Sequence, residues 1–208
     1  MYATDTEDEV EGRIQALSHD EQVGGIVLQL PLPKRFNRDA ALARIDPKKD
    51  VDNLTGRAMV EAPTVGVVKE ILREVGYAIV DYETIAVVGR GFLVGQPIIA
   101  WLKKESSNHP QSSLHVKVAD IETVDLRQFL QDADLVITGV GKAGLIQPEW
   151  LKAGASVIDF GFPPDFNAEG LALGDSRLAF YTPTPGGTGP ILVAKLFENF
   201  YTLINAII

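Results

Sequence analysis

The second half of the chain sets the strongest limit on its fold. From Thr84 onward, short apolar runs rich in β-branched residues alternate with helical patterns. TIAVVGR (84–90) reads as a buried strand and residues 94–104 as a helix. HVKVAD (115–120) is a second strand, TVDLRQFLQDA (123–133) a second helix, and DLVITGV (134–140) and SVIDFGF (156–162) are two further strands. Parallel neighbours need crossovers of about a dozen residues or more, which the helical segments supply. The pattern predicts an α/β fold: a doubly wound, Rossmann-like parallel sheet covered on both faces.

The turn that closes the first of these strands carries chemistry. VVGRGFLVGQP (87–97) places Gly89, Gly91 and Gly95 as GxGxxxG between a strand and a helix. In that position Gly89 permits the tight turn, Gly91 lets backbone approach a pyrophosphate, and Gly95 lets helix and strand pack closely. The same pattern also occurs where a strand simply meets a helix; the βαβ setting is what points to a dinucleotide. At the end of the second strand, Asp120 is placed to accept hydrogen bonds from ribose hydroxyls and to repel a 2′-phosphate, which favours NAD. Arg90, inside the turn, has the geometry to pair with a phosphate instead. Asp120 capping a helix near Glu122, and Arg90 in a surface ion pair, are equally open.

Upstream, residues 4–20 read as an amphipathic helix with Thr4 or Thr6 as cap and Val10, Ile14 and Leu17 on one face. GGIVLQL (24–30) is an apolar run suited to a buried strand, stopped by the prolines of PLP. A short helix over 38–45 precedes the polar loop DPKKDVDN, and a helix over 65–75 ends at Gly76. The chain closes with a rigid loop, TPTPGGTGP, and an apolar helix from about Pro190. These divisions predict a small N-terminal α/β lobe (1–62), a dinucleotide domain (63–189) and a C-terminal helix (190–208) returning to the first lobe.

Composition narrows the partners. A formal charge of −9 argues against broad binding to nucleic acid or an anionic membrane. There is no cysteine, and His19, His109 and His115 follow no ligand spacing, so no metal site is expected. The chain shows no apolar run of about 20 residues and no secretion signal, so the expected location is cytoplasmic.

Taken together, GGIVLQLPLP, DPKKDVDN, VVGRGFLVGQP, ADLVITGVGKAGLI, GASVIDFG and TPTPGGTGPILVAKLFEN resemble, in order, segments of the bifunctional methylenetetrahydrofolate dehydrogenase and methenyltetrahydrofolate cyclohydrolase family of one-carbon metabolism. The resemblance implies NAD(P)-linked oxidation of 5,10-methylenetetrahydrofolate, with a tetrahydrofolate derivative as the small-molecule substrate. Asp52 and Gln29 would be the catalytic residues: Asp52 would grip the pterin, unless it only caps nearby loop amides, and Gln29, which in the family supports the lysine, would orient water or only satisfy loop backbone. Gln29, Leu30 and Pro31 would line the folate site. Pro185, Gly186, Gly187 and Gly189 would form a wall between folate and nicotinamide. Val94, Gly139, Gly141, Ile146 and Thr188 would join the glycine turn around the cofactor.

Three departures from the family pattern stand out. The family's catalytic lysine lies four residues after a tyrosine on an early helix, whereas this sequence has no lysine before Lys34. By the same comparison the sequence starts just before the family's second helix, which leaves cyclohydrolysis without its central group. The His-Ser pair that follows the family's second strand corresponds here to Asp120 and Ile121, again favouring NAD over the usual NADP. EAPTVG replaces a Pro-Cys-Thr-Pro loop. An apolar strand 24–30 without its neighbour predicts cover by a second copy, as a homodimer, or by another chain. A nucleotide-binding relative without catalysis and a dehydrogenase for another substrate are the competing readings.

Overall fold

The computed structural model describes residues 6–171 and 177–206. These form two compact units: one comprises the described residues up to Pro63 together with those from Val193 onward, and the other spans Thr64–Leu192.

In the first unit, α1 (Glu7–His19) opens with a capping box. Thr6 Oγ1 accepts from the Glu9 amide at 3.3 Å, while the Thr6 amide donates to Glu9 Oε2 at 2.7 Å. Thr4 lies outside the described residues. The buried face of α1 is Val10, Ile14 and Ser18, whereas the expected Leu17 is 44% exposed. Ser18 tolerates burial because its hydroxyl donates to the Arg44 carbonyl at 2.8 Å and accepts from the Asp46 amide at 3.0 Å. α2 (Arg38–Ala43) is capped by Asn37, whose side chain accepts from the amides of Asp39 and Ala40.

Residues 24–30 depart from the buried strand expected of them. Only Ile26 bridges another segment, at Asp50, in parallel. Ile26 and Leu28 are buried, but Val27 between them is 54% exposed. A strand needs a ladder on at least one side, and among the described residues only the 49–51 segment comes alongside, so a single bridge forms.

The second unit begins at Thr64, within the first turn of α3 (Pro63–Glu74), after which Gly76 turns with φ +78°. Then follow β1 (Thr84–Val88), α4 (Gly95–Asn108), β2 (His115–Ala119), α5 (Leu126–Leu130), β3 (Leu135–Thr138), β4 (Ser156–Asp159) and β5 (Phe180–Tyr181). The five strands are all parallel, in the order β2-β1-β3-β4-β5. Ile85, Ala86, Val87 and Val88 are all buried, so both faces of β1 are covered, as a doubly wound sheet requires. One face packs Ala86, Val88, Val136 and Val157 against Leu130, Ile146, Leu151 and Phe166.

α5 is shorter than the expected 123–133 because Asp125, not an earlier residue, caps it by accepting from the Gln128 amide. The chain then enters α6 (Thr188–Asn205), which continues into the first unit. There Asn199 Nδ2 donates to the carbonyls of Val51 and Glu61, each at 2.9 Å. Among the described residues no helix is long and apolar enough to cross a membrane.

Candidate active site and cofactor cleft

The order of the strands reverses at β1, and β2 and β3 run on either side of it. Ligands of open parallel sheets bind outside the carboxyl ends of the strands at such a switch point. A cleft of about 570 Å³ lies there, lined by Val88, Gly89 and Arg90 after β1, Ala119 and Asp120 after β2, and Val140 and Lys142 after β3.

The glycines of the turn have separable roles. Gly89 sits at φ +97°, a conformation that side chains oppose, and its amide donates to the Ala119 carbonyl at 2.9 Å. A methyl group at Gly95 would run into the Gly89 carbonyl oxygen, so only glycine allows α4 to start this close to β1. At Gly91 nothing lies within 4 Å of where a side chain would begin. The backbone there is bare toward open space, the feature a pyrophosphate needs. The helix start is partly self-satisfied, because the Gln96 amide donates to the Gly91 carbonyl at 3.0 Å.

Arg90 and Asp120, left open by the sequence, meet each other. Arg90 Nε donates to Asp120 Oδ2 at 2.9 Å, and Asp120 Oδ1 accepts from the Glu122 amide at 3.0 Å. The acid thus holds a turn and an ion pair together, at the rim of the cleft, with Ile121 fully exposed beside it. Val94, the residue before α4, packs on Gly139: its Cγ1 lies 2.7 Å from where a side chain at Gly139 would start. Gly141 turns at φ +76°. Ile146 is wholly buried in the hydrophobic cluster under the sheet, so its side chain is a packing group, and Leu145 is the neighbour that lines the cleft.

Farther along the carboxyl edge, Thr188 Oγ1 donates to the Asp159 carbonyl at 3.0 Å. Gly187 packs so tightly on the Pro183 backbone that no side chain fits, whereas Pro185, Gly186 and Gly189 are exposed. Burial pushes the Asp159 carboxyl above its ordinary value and the charge of Asp165 adds to this, against the amides of Phe166 and Gly161 that it accepts. Asp165 carries no spacing signal in the sequence, yet it is fully buried behind the β3 loop.

In the first unit, the paired acids of DPKKDVDN separate into two roles. Asp50, fully buried, accepts from the amides of Leu54 at 3.0 Å and Thr55 at 2.8 Å. Among the described residues Asp52 has no hydrogen-bond partner. It is half-buried, and burial, with the Asp50 charge adding, holds its carboxyl above the ordinary value. Lys49 is a buried cap: Nζ donates to the carbonyls of Ser18 at 2.8 Å and Asp20 at 2.7 Å, with Leu17 at 3.4 Å. Gln29 is exposed, and its Nε2 donates to the carbonyl of Leu30 at 3.1 Å. Leu30 is partly buried and Pro31 exposed.

Against known families, residues 62–207 match the NAD(P)-binding domain of tetrahydrofolate dehydrogenase/cyclohydrolase, and residues 1–52 match the catalytic domain of the same proteins. The chain belongs to the tetrahydrofolate dehydrogenase/cyclohydrolase family. Within this family, the bifunctional protein FolD of Sphingopyxis alaskensis is 37% identical over 227 residues, covering 99% of this chain and 72% of that protein. The Trypanosoma brucei methylenetetrahydrofolate dehydrogenase-cyclohydrolase, solved with NADP and an inhibitor, superposes with TM-score 0.85 at 30% identity. It covers 98% of this chain and 74% of its own. The NAD-dependent enzyme of Saccharomyces cerevisiae, at 19% identity and TM-score 0.73 over 98% of this chain and 76% of its own, shares the fold. The glycine turn and the cleft at β1 therefore belong to an NAD(P)-binding domain.

Proposed function

We propose that this chain oxidises 5,10-methylenetetrahydrofolate to 5,10-methenyltetrahydrofolate and prefers NAD to NADP. The observation that carries the reading is the bare Gly91 backbone, held in place by the glycine-only contact of Gly95 with Gly89, at the switch point of the sheet. When bound, the dinucleotide supplies a nicotinamide as hydride acceptor. Its pyrophosphate would rest on the 89–95 turn, and Asp120 would accept from the adenosine ribose.

The methenyl product is a resonance-stabilised cation, so the residues here need to align reactants rather than move a proton. Asp52 would grip the pterin's amino and ring N–H donors, its acceptor capacity being unspent among the described residues. The exposed Pro185 and Gly186, followed by Gly187, would present backbone rather than side chains between the two reactants.

Cyclohydrolysis also requires proton transfer to and from water. Lys49 is committed to backbone carbonyls, and the Gln29 amide to Leu30, so neither supplies that step. For these 208 residues we therefore expect dehydrogenase activity well above cyclohydrolase activity. The assay is to supply methylenetetrahydrofolate with NAD or NADP and follow reduced nicotinamide and methenyl product separately. Binding of cofactor without reduction would favour a nucleotide-binding relative that lacks catalysis.

The exposed Val27 lies in a shallow apolar groove with Val193, Phe197 and Phe200. We assign this surface to contact with a second copy of the chain. Light scattering that reports a monomer at assay concentration contradicts the assignment.

A further inference from the structure

The buried carboxylate of Asp165 has no part in the chemistry above, and its surroundings assign it one. It stands on the segment after β4, yet all its side-chain partners belong to the last residue of β3 and the loop that follows it. Oδ2 accepts from the Thr138 hydroxyl at 2.6 Å and from the Val140 amide at 2.7 Å. Oδ1 accepts from the Lys142 amide at 2.7 Å. The backbone of the two segments is joined as well: the Gly144 amide donates to the Pro164 carbonyl at 3.1 Å, and the Ile146 amide to the Asp165 carbonyl at 2.9 Å.

Val140 and Lys142, with Leu145, are what the segment after β3 contributes to the wall of the dinucleotide cleft. Between them Gly141 turns at φ +76°. Alternating amides on either side of such a turn form a concavity that binds an anion. Here the anion is supplied from within the chain. The carboxylate neutralises that concavity and fixes the direction in which Val140 and the Lys142 stem leave the backbone.

We infer that Asp165 is a positioning residue for the cofactor: it sets the β3 wall of the cleft against which the adenosine half of the dinucleotide lies. This rests on the cofactor reading of the cleft. Asp120 and the end of β2 place the adenosine side of the dinucleotide near this wall, so the effect should fall on adenine nucleotides and leave the folate untouched.

The test uses the full 208-residue chain with Asp165→Asn and, separately, Thr138→Val. In Asp165→Asn the amide oxygen can keep Thr138 and Val140 satisfied, but its NH2 then faces the Lys142 amide, donor against donor. In Thr138→Val the carboxylate keeps both amides and loses only the hydroxyl. Dissociation constants for NAD and for 5′-AMP are measured by calorimetry, and kcat and the folate KM by steady-state kinetics.

The expected result is a loss of roughly tenfold in affinity for both NAD and 5′-AMP in Asp165→Asn, and of about threefold in Thr138→Val, with the folate KM unchanged and kcat at saturating NAD unchanged. A general fall in kcat and a rise in folate KM alongside the loss of affinity would mark a merely structural residue and overturn the assignment. Unchanged affinity for both ligands in a folded variant overturns it too. If Asp165→Asn does not fold, Thr138→Val decides: affinity within experimental error of the parent overturns the role. Failure of the parent chain to bind either ligand overturns the cofactor reading itself and this role with it, whereas parental binding that survives both substitutions overturns this role alone.

Discussion

Arg90 Nε donates to Asp120 Oδ2 at 2.9 Å, which ties the glycine turn after β1 to the end of β2 across the mouth of the cofactor cleft. The pair reconciles two opposed tendencies of the sequence. An unpaired arginine would attract a 2′-phosphate, and an unpaired aspartate would repel it. With the guanidinium held by the acid, the phosphate must compete with a carboxylate that is already in place. Replacing Asp120 by serine releases Arg90 and adds a hydroxyl donor. The ratio of kcat/KM for NAD over NADP is then expected to fall by roughly tenfold or more, read from initial rates with each cofactor.

The turn itself predicts two different failures from two similar substitutions. Gly95→Ala forces a methyl group into the Gly89 carbonyl and should cost about 1–3 kcal/mol of stability, read from urea unfolding. Gly91→Ala meets no protein atom and should leave stability within about 0.5 kcal/mol of the parent. The same methyl at Gly91 would sit at the site proposed for the pyrophosphate, so NAD affinity should drop by roughly tenfold or more by calorimetry. Loss of stability in Gly91→Ala, or intact NAD binding, contradicts this division.

In the loop of the first unit, Asp50 and Asp52 should respond oppositely to the same change. Burial, and then the Asp50 charge, raise the Asp52 carboxyl above its ordinary value of 3.8. The folded chain therefore holds that proton more tightly than the unfolded chain does. The resulting stabilisation is present below the ordinary value and is lost as pH rises through the raised one, leaving ionised Asp52 as a cost at neutral pH. Asp52→Asn should raise the melting temperature at pH 7, with the gain vanishing below about pH 4, while the folate KM rises roughly tenfold. Asp50→Asn, which leaves the Leu54 or Thr55 amide facing a donor, should lower the melting temperature at pH 7.

Lys49 is expected to matter for folding and not for cofactor. Its Nζ gathers carbonyls at the end of α1, where a cation also opposes the negative end of the helix dipole. Lys49→Met should destabilise the chain by about 2 kcal/mol in urea unfolding and leave NAD affinity untouched. Loss of NAD binding in a folded Lys49→Met variant would show that the residue does more than cap.

How much was legible in the sequence follows from the range of each signal. β1, β3 and β4 are buried on both faces, and adjacent valines and isoleucines announce that without reference to partners. Residues 24–30 carry the same kind of run, but whether they form a strand depends on what lies beside them, and here only Asp50 bridges Ile26. β5 is two residues, Phe180 and Tyr181, too short for any periodicity. On α1 the choice between Leu17 and Ser18 turned on the carbonyl of Arg44, a distant acceptor that helical spacing cannot reveal. In the site, the glycines were readable because their need is local: a positive φ at Gly89 and a close approach at Gly95. The pairing of Arg90 with Asp120 and the bracing of the β3 loop by Asp165 join residues about 30 positions apart, and no spacing rule reaches that far.

The proposed chemistry depends on the 89–95 turn holding a dinucleotide for hydride transfer from a folate. Mixing the chain with methylenetetrahydrofolate and NAD, and recording the near-ultraviolet absorbance of reduced nicotinamide, tests it most directly. Stoichiometric appearance of reduced cofactor and methenyl product is expected, slower with NADP and suppressed in Gly91→Ala. No reduction with either cofactor, or reduction that Gly91→Ala leaves unchanged, would contradict it.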